Sequence, residues 1–353
     1  MDDPRLMAVQ VLNEHSDAIA QKVMERHYEL DPAYAASLTP AQRARCLQDV
    51  RYHLMYLANA LATSSPGLFV SYAAWARDLL RALGVRMEDV ARNMRILETV
   101  VADSLPEESR SHLADYFAPA IAALSEPRED IPSELSEADP LYPVARRYLD
   151  ALLATRRNEA ADIIADAVAG GAPVSDLYLH VFAPVQREIG RLWQLGRISV
   201  AQEHYCTAAT QLIIGRLYDQ VFAGERSDKT MVATCVSGEL HELPARMVSD
   251  FFEMAGWNSH YLGANTPTPA ILRFIADRRP HVVGISATMA FNLSSVSDLI
   301  AALRQSDATP TPKIIVGGYP FTRDPGLFAA VGADGCAPDG PQAVMLADAL
   351  VGA

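Results

Sequence analysis

The sequence predicts a multidomain protein of the α plus α/β class, in which an all-α domain is followed by a four-helix bundle and then by a parallel sheet. Three observations predict this order. Residues 1–126 repeat apolar side chains at helical spacing, and residues 141–226 do so again after a polar, proline-rich segment. From Thr230 onward, short β-branched runs alternate with helical patterns, which is typical of βαβ units and a parallel sheet.

The composition limits the classes of function that the chain can have. Its 353 residues, half of them apolar, suffice for two or three domains with buried cores. A formal charge of -13 without any Lys/Arg run argues against direct nucleic-acid binding. We expect no membrane span, since no run of about 18 uncharged apolar residues occurs. The start does not resemble a signal peptide, and four scattered cysteines fit a reduced compartment, so we expect a cytoplasmic protein.

The first 126 residues form the predicted all-α domain, which has the size of a globin and about six helices. Thr39 as N-cap with Pro40 at the first helical position opens one helix, and Pro66 opens another. Residues 127–140 are polar and rich in proline, which predicts a linker to the next domain.

The second region, residues 141–226, carries four helical patterns with short connections, which predict an antiparallel four-helix bundle. Trp193 lies at the end of the third helix, and Glu203 and His204 lie in the first turns of the fourth, so all three sit at one end of the bundle. An indole beside a carboxylate and an imidazole suits a ligand with apolar and polar parts. The alternative is a core tryptophan and a glutamate favoured by the helix dipole.

The third region, residues 227–353, places polar side chains where predicted strands end, which is where parallel sheets bind ligands. His241 follows the first strand, and Glu239 can accept a hydrogen bond from one ring nitrogen while the other nitrogen binds a metal. A single histidine is insufficient for a metal held by protein alone, but it suffices for a metal inside a macrocycle. The alternative is an ordinary loop histidine. Small residues end two further strands: Ser286, Thr288, Gly317 and Gly318.

Residues 228–353 resemble the cobalamin-binding domain of methionine synthase, corrinoid proteins and light-sensing transcription factors. The resemblance implies a doubly wound, five-stranded, flavodoxin-like parallel sheet. It also implies that His241 is the lower axial ligand of cobalt and that Glu239 is its hydrogen-bonded partner. The slot for the displaced dimethylbenzimidazole tail would be lined by Ser286, Thr288, Gly317 and Gly318. Two residues depart from the family pattern, since Glu239 replaces Asp and Pro244 replaces Gly.

The spacing Trp-x9-Glu-His resembles the signature of adenosylcobalamin photoreceptors. This resemblance implies that Trp193 packs over the upper face of the cofactor and that Glu203 and His204 meet the adenosyl group. Gln194 departs from the light-sensing repressors, which have a cobalt-binding histidine directly after the tryptophan. A bis-histidine product formed in that way is therefore not expected here.

The helical length of the first domain and its pattern Asp49-x-x-Tyr52-His53-Leu54-x-Tyr56-Leu57 resemble the globin-like domain of photocobilins, which bind biliverdin beside cobalamin. The resemblance implies a non-covalent bilin site, with Cys46 as the candidate anchor if a covalent link exists. The alternative is that the aromatic side chains are core and the arginines are solvated. The candidate contacts are Tyr52, His53, Tyr56, Trp75, Arg77 and Arg81.

These resemblances favour a sensor over an enzyme. In this hypothesis, light removes the upper ligand of adenosylcobalamin, changes domain packing and homo-oligomeric state, and signals to an unknown downstream effector. The alternative is a corrinoid protein that carries methyl groups for partner methyltransferases. A haem-binding relative of the same fold is a third possibility.

Overall fold

The computed structural model divides the chain into two compact units, residues 1–129 and 130–353. The structure describes residues 3–127, 131–222, 226–306 and 311–352. Residues 128–130 of the predicted linker and residues 223–225 at the end of the predicted bundle therefore lie outside the described residues.

The first unit is entirely helical in its described part. Four of its helices begin with proline at the first turn, where the missing N–H has no helical partner to lose. Thr39 and Gln42 form a capping box at one of these starts, as the sequence predicted for Thr39. Its helices are α1 (Pro4–Leu30), α2 (Pro32–Ser37), α3 (Pro40–Ala62), α4 (Pro66–Ala82), α5 (Met87–Ser104), α6 (Glu107–Arg110) and α7 (Leu113–Ser125).

The second unit begins with the bundle, whose helices break close to the predicted positions. A π-helical turn, Tyr178–Phe182, joins α10 to α11 without a break in the helix. Ser199 and Gln202 form a capping box, so α12 begins at Val200. The helices are α8 (Tyr142–Leu153), α9 (Arg157–Ala169), α10 (Val174–Leu177), α11 (Ala183–Gln194), α12 (Val200–Gly215) and α13 (Tyr218–Val221).

The described part of the predicted linker is fastened to α11 of the bundle. The buried carboxylate of Glu188 accepts hydrogen bonds from the Ser133 hydroxyl and the Glu134 N–H. Arg191 pairs with Glu188 and also donates to the carbonyl of Ile131. From residue 131 onward the segment is therefore part of the second unit.

The rest of the second unit is a five-stranded parallel sheet with strand order β2-β1-β3-β4-β5, as predicted. Its central strands are buried, β-branched runs that alternate with helices, which explains why the sheet is parallel. The elements are β1 (Thr230–Cys235), α14 (Leu243–Met254), β2 (Asn258–Tyr261), α15 (Thr268–Arg278), β3 (Val282–Ser286), α16 (Leu293–Gln305), β4 (Lys313–Gly317), α17 (Tyr319–Arg323), α18 (Leu327–Ala330), β5 (Gly335–Cys336) and α19 (Gly340–Val351).

Across the described ranges, no helix combines the length and the apolar character that a membrane crossing requires.

Candidate functional site

Three strand ends meet at one edge of the sheet. Cys235 at the end of β1 pairs in register with Ser286 at the end of β3, and Ser286 pairs with Gly317 at the end of β4. The loops that follow these residues therefore start side by side. This edge is where a doubly wound sheet binds its ligands.

The carboxylate of Glu239 is the centre of this edge. It is fully buried, and its Oε1 accepts hydrogen bonds from the N–H and the Nδ1 of His241, at 2.9 and 2.6 Å. Its Oε2 accepts from the N–H groups of Thr288 and Met289 and from Nδ2 of Asn292, at 2.8, 3.1 and 3.0 Å. Burial alone would raise the pKa of Glu239, but these donors lower it to about 2. The carboxylate is therefore ionised and fixed.

The imidazole of His241 is held in one tautomer by this contact. Since the Glu239 carboxylate can only accept, Nδ1 carries the proton and Nε2 presents a lone pair. The side chain is half exposed, so Nε2 is accessible from the edge of the sheet. The hydrogen bond to Glu239 raises the pKa of His241, burial opposes this, and the charges of Glu239 and Glu203 raise it further. This arrangement is typical of a metal-ligating histidine with a carboxylate partner.

The glycine pair after β4 allows two loops to approach each other closely. Gly318 has a φ of +108°, and a Cβ at this position would lie 2.0 Å from the carbonyl oxygen of Ala287. At Gly317 a Cβ would lie 3.2 Å from the carbonyl oxygen of Ala337. Only glycine fits at Gly318, because both its backbone conformation and its surroundings exclude a side chain.

Asn292, Asn265 and Glu242 belong to the site, although sequence reasoning missed them. The Oδ1 of Asn265 accepts from the N–H of Gly238 at 2.8 Å, and its own N–H donates to the carbonyl of Glu239 at 3.0 Å. The φ of Asn265 is +49°, a left-handed conformation in which asparagine is enriched. The sequence signal that could have indicated Asn265 is an asparagine, a residue suited to the left-handed conformation, two positions after Gly263.

The bundle residues named from the sequence lie at one end of the bundle, at the end of α11 and the start of α12. Glu203 pairs with His204 and accepts a hydrogen bond from the Thr207 hydroxyl at 3.3 Å. Trp193 and Gln194 are partly buried, and the His204 side chain is largely exposed. The charge of Glu203 is one of the causes that raise the pKa of His241.

In the first unit, three of the predicted contacts lie in one aromatic cluster. His53 is buried, and its Nδ1 lies 2.7 Å from the hydroxyl of Tyr72. Tyr56 stacks on Tyr72 with ring centroids 3.7 Å apart, and the ring of Trp75 lies 6.2 Å from that of Tyr72. Tyr72 was not named from the sequence, although its ring connects the other three.

The two arginines named with this cluster already have partners inside the unit. The buried Arg77 guanidinium donates to both carboxylate oxygens of Asp78 and to the carbonyl of Ala123. Arg81 donates to the carbonyl of Glu126. Cys46 is a free thiol whose Sγ lies 3.5 Å from the hydroxyl of Tyr34.

Residues 229–347 match a family described as B12 binding domain, and residues 144–218 match a second family of the same description. Residues 2–124 match a family described as Phycobilisome protein. These two matches support a cobalamin-binding family for the bundle and the sheet. The sheet edge fits cobalamin, since His241 offers one ring nitrogen to a metal that a macrocycle already holds. Among the described residues, no group of three His, Cys, Asp or Glu side chains could hold a bare metal ion.

Proteins with similar sequences include methylamine corrinoid proteins. The chain is 26% identical over 181 residues to dimethylamine corrinoid protein 1 of Methanosarcina acetivorans, covering 50% of the chain and 83% of that protein. It is 26% identical over 233 residues to dimethylamine corrinoid protein 1 of Methanosarcina mazei, covering 64% of the chain and 97% of that protein. The fold resembles the monomethylamine corrinoid protein of Methanosarcina barkeri, with a TM-score of 0.53, 18% identity and coverage of 59% and 98%.

These relatives show that the predicted light-sensing function is wrong. They are methylamine corrinoid proteins, which agrees with the alternative function. The prediction rested on the spacing of Trp193, Glu203 and His204, which does not specify photochemistry. The predicted light-dependent change of oligomeric state therefore loses its basis.

Proposed function

We propose that the chain is a corrinoid protein that carries methyl groups for partner methyltransferases. The observation that carries this proposal is the alignment with a dimethylamine corrinoid protein along 97% of that protein's length. The alignment supports a shared role because its length exceeds that of the sheet domain and requires the bundle as well. The buried Glu239 carboxylate and the fixed His241 tautomer support it independently.

The residues at the sheet edge would hold the cofactor at two places, its cobalt and its nucleotide tail. His241 would ligate cobalt through Nε2, and Glu239 would keep the ring proton on Nδ1 and orient the imidazole. The close loops at Ser286, Thr288 and Gly317–Gly318 would receive the nucleotide tail. When bound, cobalamin supplies a cobalt centre that accepts and releases a methyl group. The chain's own contribution is to fix the tautomer and the orientation of the His241 ring.

The bundle end would cover the opposite face of the corrin. Trp193 would contribute apolar cover, and Glu203 and His204 would contribute polar contacts near the upper ligand. The methyl-carrier proposal requires a methyl group in that place, whereas the Trp-x9-Glu-His spacing predicts an adenosyl group. The domain limits 1–126, 127–140, 141–226 and 227–353 and the cytoplasmic location stay predictions.

One labelling experiment tests the carrier proposal and identifies the upper ligand. Cells that make the protein are supplied with cobalamin and with ¹³C-methyl-labelled methylamines, and the protein is purified in the dark. The bound corrinoid is then extracted and analysed by mass spectrometry. We expect a labelled methyl group on cobalt. An unlabelled corrinoid that carries an adenosyl group would overturn the methyl-carrier proposal.

A second ligand is proposed for the first domain, namely biliverdin bound without a covalent link. The match of residues 2–124 to the phycobilisome family and the aromatic cluster around Tyr72 support it. Within a globin-like domain, Tyr56 and Trp75 would stack on pyrrole rings and His53 would offer a polar contact. Arg77 would have to exchange its Asp78 partner for a propionate.

The test for the bilin is co-production of the full chain with an enzyme source of biliverdin. The proposal is supported if the native protein shows a red-absorbing band and acid denaturation releases the pigment from the protein. The absence of the band refutes the site, and pigment that stays attached refutes its non-covalent nature and implicates Cys46.

A further inference from the structure

Glu242, the residue directly after His241, connects the sheet to the bundle. It is the N-cap residue of α14, and its Oε2 accepts hydrogen bonds from the Tyr261 hydroxyl and the Ala264 N–H, at 3.2 and 3.1 Å. Its Oε1 accepts from Nε2 of Gln211 in α12, at 2.7 Å. One carboxylate thus joins the His241 loop, the loop after β2 and the bundle.

Arg246, one turn further along α14, makes a second contact with the same part of α12. Its Nη1 donates to the carbonyl of Gln211 at 3.4 Å, and a Cβ at Gly215 would lie 3.6 Å from its Nη2. A cation near the C-terminal end of a helix is favoured by the helix dipole. The first turn of α14 therefore binds the C-terminal part of α12 with a carboxylate and a guanidinium.

The far end of α12 carries Glu203 in its first turn. A helix of this length is a stiff rod with a rise of about 1.5 Å per residue, so a displacement at one end is transmitted to the other. The Gln211–Glu242 contact lies in the part of α12 that meets the segment directly after His241.

We propose that Gln211 and Glu242 are positioning residues, whose hydrogen bond fixes α12 against the His241 loop and thereby sets the separation of the two faces of the corrinoid site. The inference rests on the proposed function, since the separation matters only if a corrin lies between the faces. Neither residue touches the reacting atoms, and both act through His241 and through the start of α12.

A carboxylate–amide exchange tests this proposal in the full chain. Gln211→Glu puts two carboxylates opposite each other and should break the contact. Adding Glu242→Gln restores the hydrogen bond with donor and acceptor exchanged. The oxygen of the new amide can still accept from Tyr261 and Ala264, while its NH2 donates to the carboxylate introduced at position 211.

Tyr178→Phe is the matched control. It removes another bundle–α14 hydrogen bond, from the Tyr178 hydroxyl to Oδ2 of Asp250 at 2.8 Å, but this bond lies about two turns along α14 from the His241 loop. It should therefore change the general docking of the bundle without changing the site.

Two readouts are measured on each variant, namely the Kd for hydroxocobalamin and the hydrogen exchange of the α12 amides in the cofactor-free protein. We expect Gln211→Glu to raise the Kd about tenfold and to speed exchange in α12, and the double variant to return both values to within about twofold of wild type. Tyr178→Phe should leave the Kd within about twofold of wild type.

A Gln211→Glu variant that binds like wild type, a double variant that is not rescued, or a Tyr178→Phe variant that is equally impaired would overturn the proposal. If the wild-type protein does not bind hydroxocobalamin, the proposed function fails. The exchange of α12 in the cofactor-free variants still decides whether the Gln211–Glu242 contact holds the helix.

Discussion

At the residue scale, one buried carboxylate decides how the site works. Glu239 has five donors around it, two from His241 and three from the segment after β3. The sequence predicted the His241 contact, because the two residues are separated by one position. It did not predict the contact with Asn292, which is 53 residues away and becomes a neighbour only when β1 and β3 pair.

Replacing Glu239 with Gln should weaken cobalamin binding about 10- to 100-fold. The NH2 of the new amide cannot accept hydrogen bonds. It would face either the donors of His241 or the donors of the segment after β3, and the hydrogen bonds on that side would be lost. An absorbance titration with hydroxocobalamin measures the effect, and circular dichroism checks that the variant is folded. A folded variant with wild-type affinity would contradict the role of Glu239.

His53 makes the stability of the first unit depend on pH. Burial lowers its pKa from 6.5 to about 4, so between these values the unfolded chain binds a proton that the folded chain excludes. The contribution of His53 to the free energy of unfolding is therefore complete above about pH 6.5. It is lost as the pH falls to about 4, and the loss is about 3 kcal/mol. Asp49 opposes it, because burial raises the pKa of that carboxyl to about 6 while Arg45 lowers it.

The comparison of wild type with His53→Gln isolates this effect, since Asp49 contributes equally to both. Urea unfolding of the full chain, followed by hydrogen exchange in α3 and α4, should show the wild type losing stability relative to the variant between about pH 6.5 and 4. A constant difference across this range would show that His53 takes up its proton without unfolding.

At the element scale, the site depends on short loops that follow strands in register. The sequence predicted the strands from their β-branched runs, and it predicted small residues at the end of β4. Pro244, which departs from the family pattern, lies in the first turn of α14. The sequence did not predict how closely the β3 and β4 loops approach, because that distance depends on tertiary packing around Ala287.

The two glycines after β4 should respond differently to the same substitution. Gly318→Ala should destabilise the second unit by more than about 2 kcal/mol, because the new Cβ would overlap the Ala287 carbonyl at a positive φ. Gly317→Ala, with an ordinary φ and a contact of 3.2 Å, should cost about 1 kcal/mol or less. Urea unfolding measures both, and equal effects would contradict the close approach at Gly318.

At the scale of the whole molecule, the sequence predicted the order of an all-α region, a bundle and a parallel sheet, because helical and strand periodicities differ strongly. It was wrong about function because the spacing of Trp193, Glu203 and His204 does not specify a reaction, whereas the similar proteins are methylamine corrinoid proteins. It also treated residues 131–140 as a linker, whereas Glu188 and Arg191 fasten the start of that segment to the bundle. Those partners lie more than fifty positions away along the chain, so local composition could not reveal them.

The central claim is that His241 binds the cobalt of cobalamin, and electron paramagnetic resonance of the Co(II) form tests it most directly. A single axial ¹⁴N ligand splits the cobalt lines into triplets, and a ¹⁵N ligand splits them into doublets. Protein labelled with ¹⁵N-histidine and loaded with unlabelled cobalamin should give doublets, and His241→Ala should lose them. Triplets that persist in the labelled protein would show that dimethylbenzimidazole remains bound to cobalt and would contradict the claim.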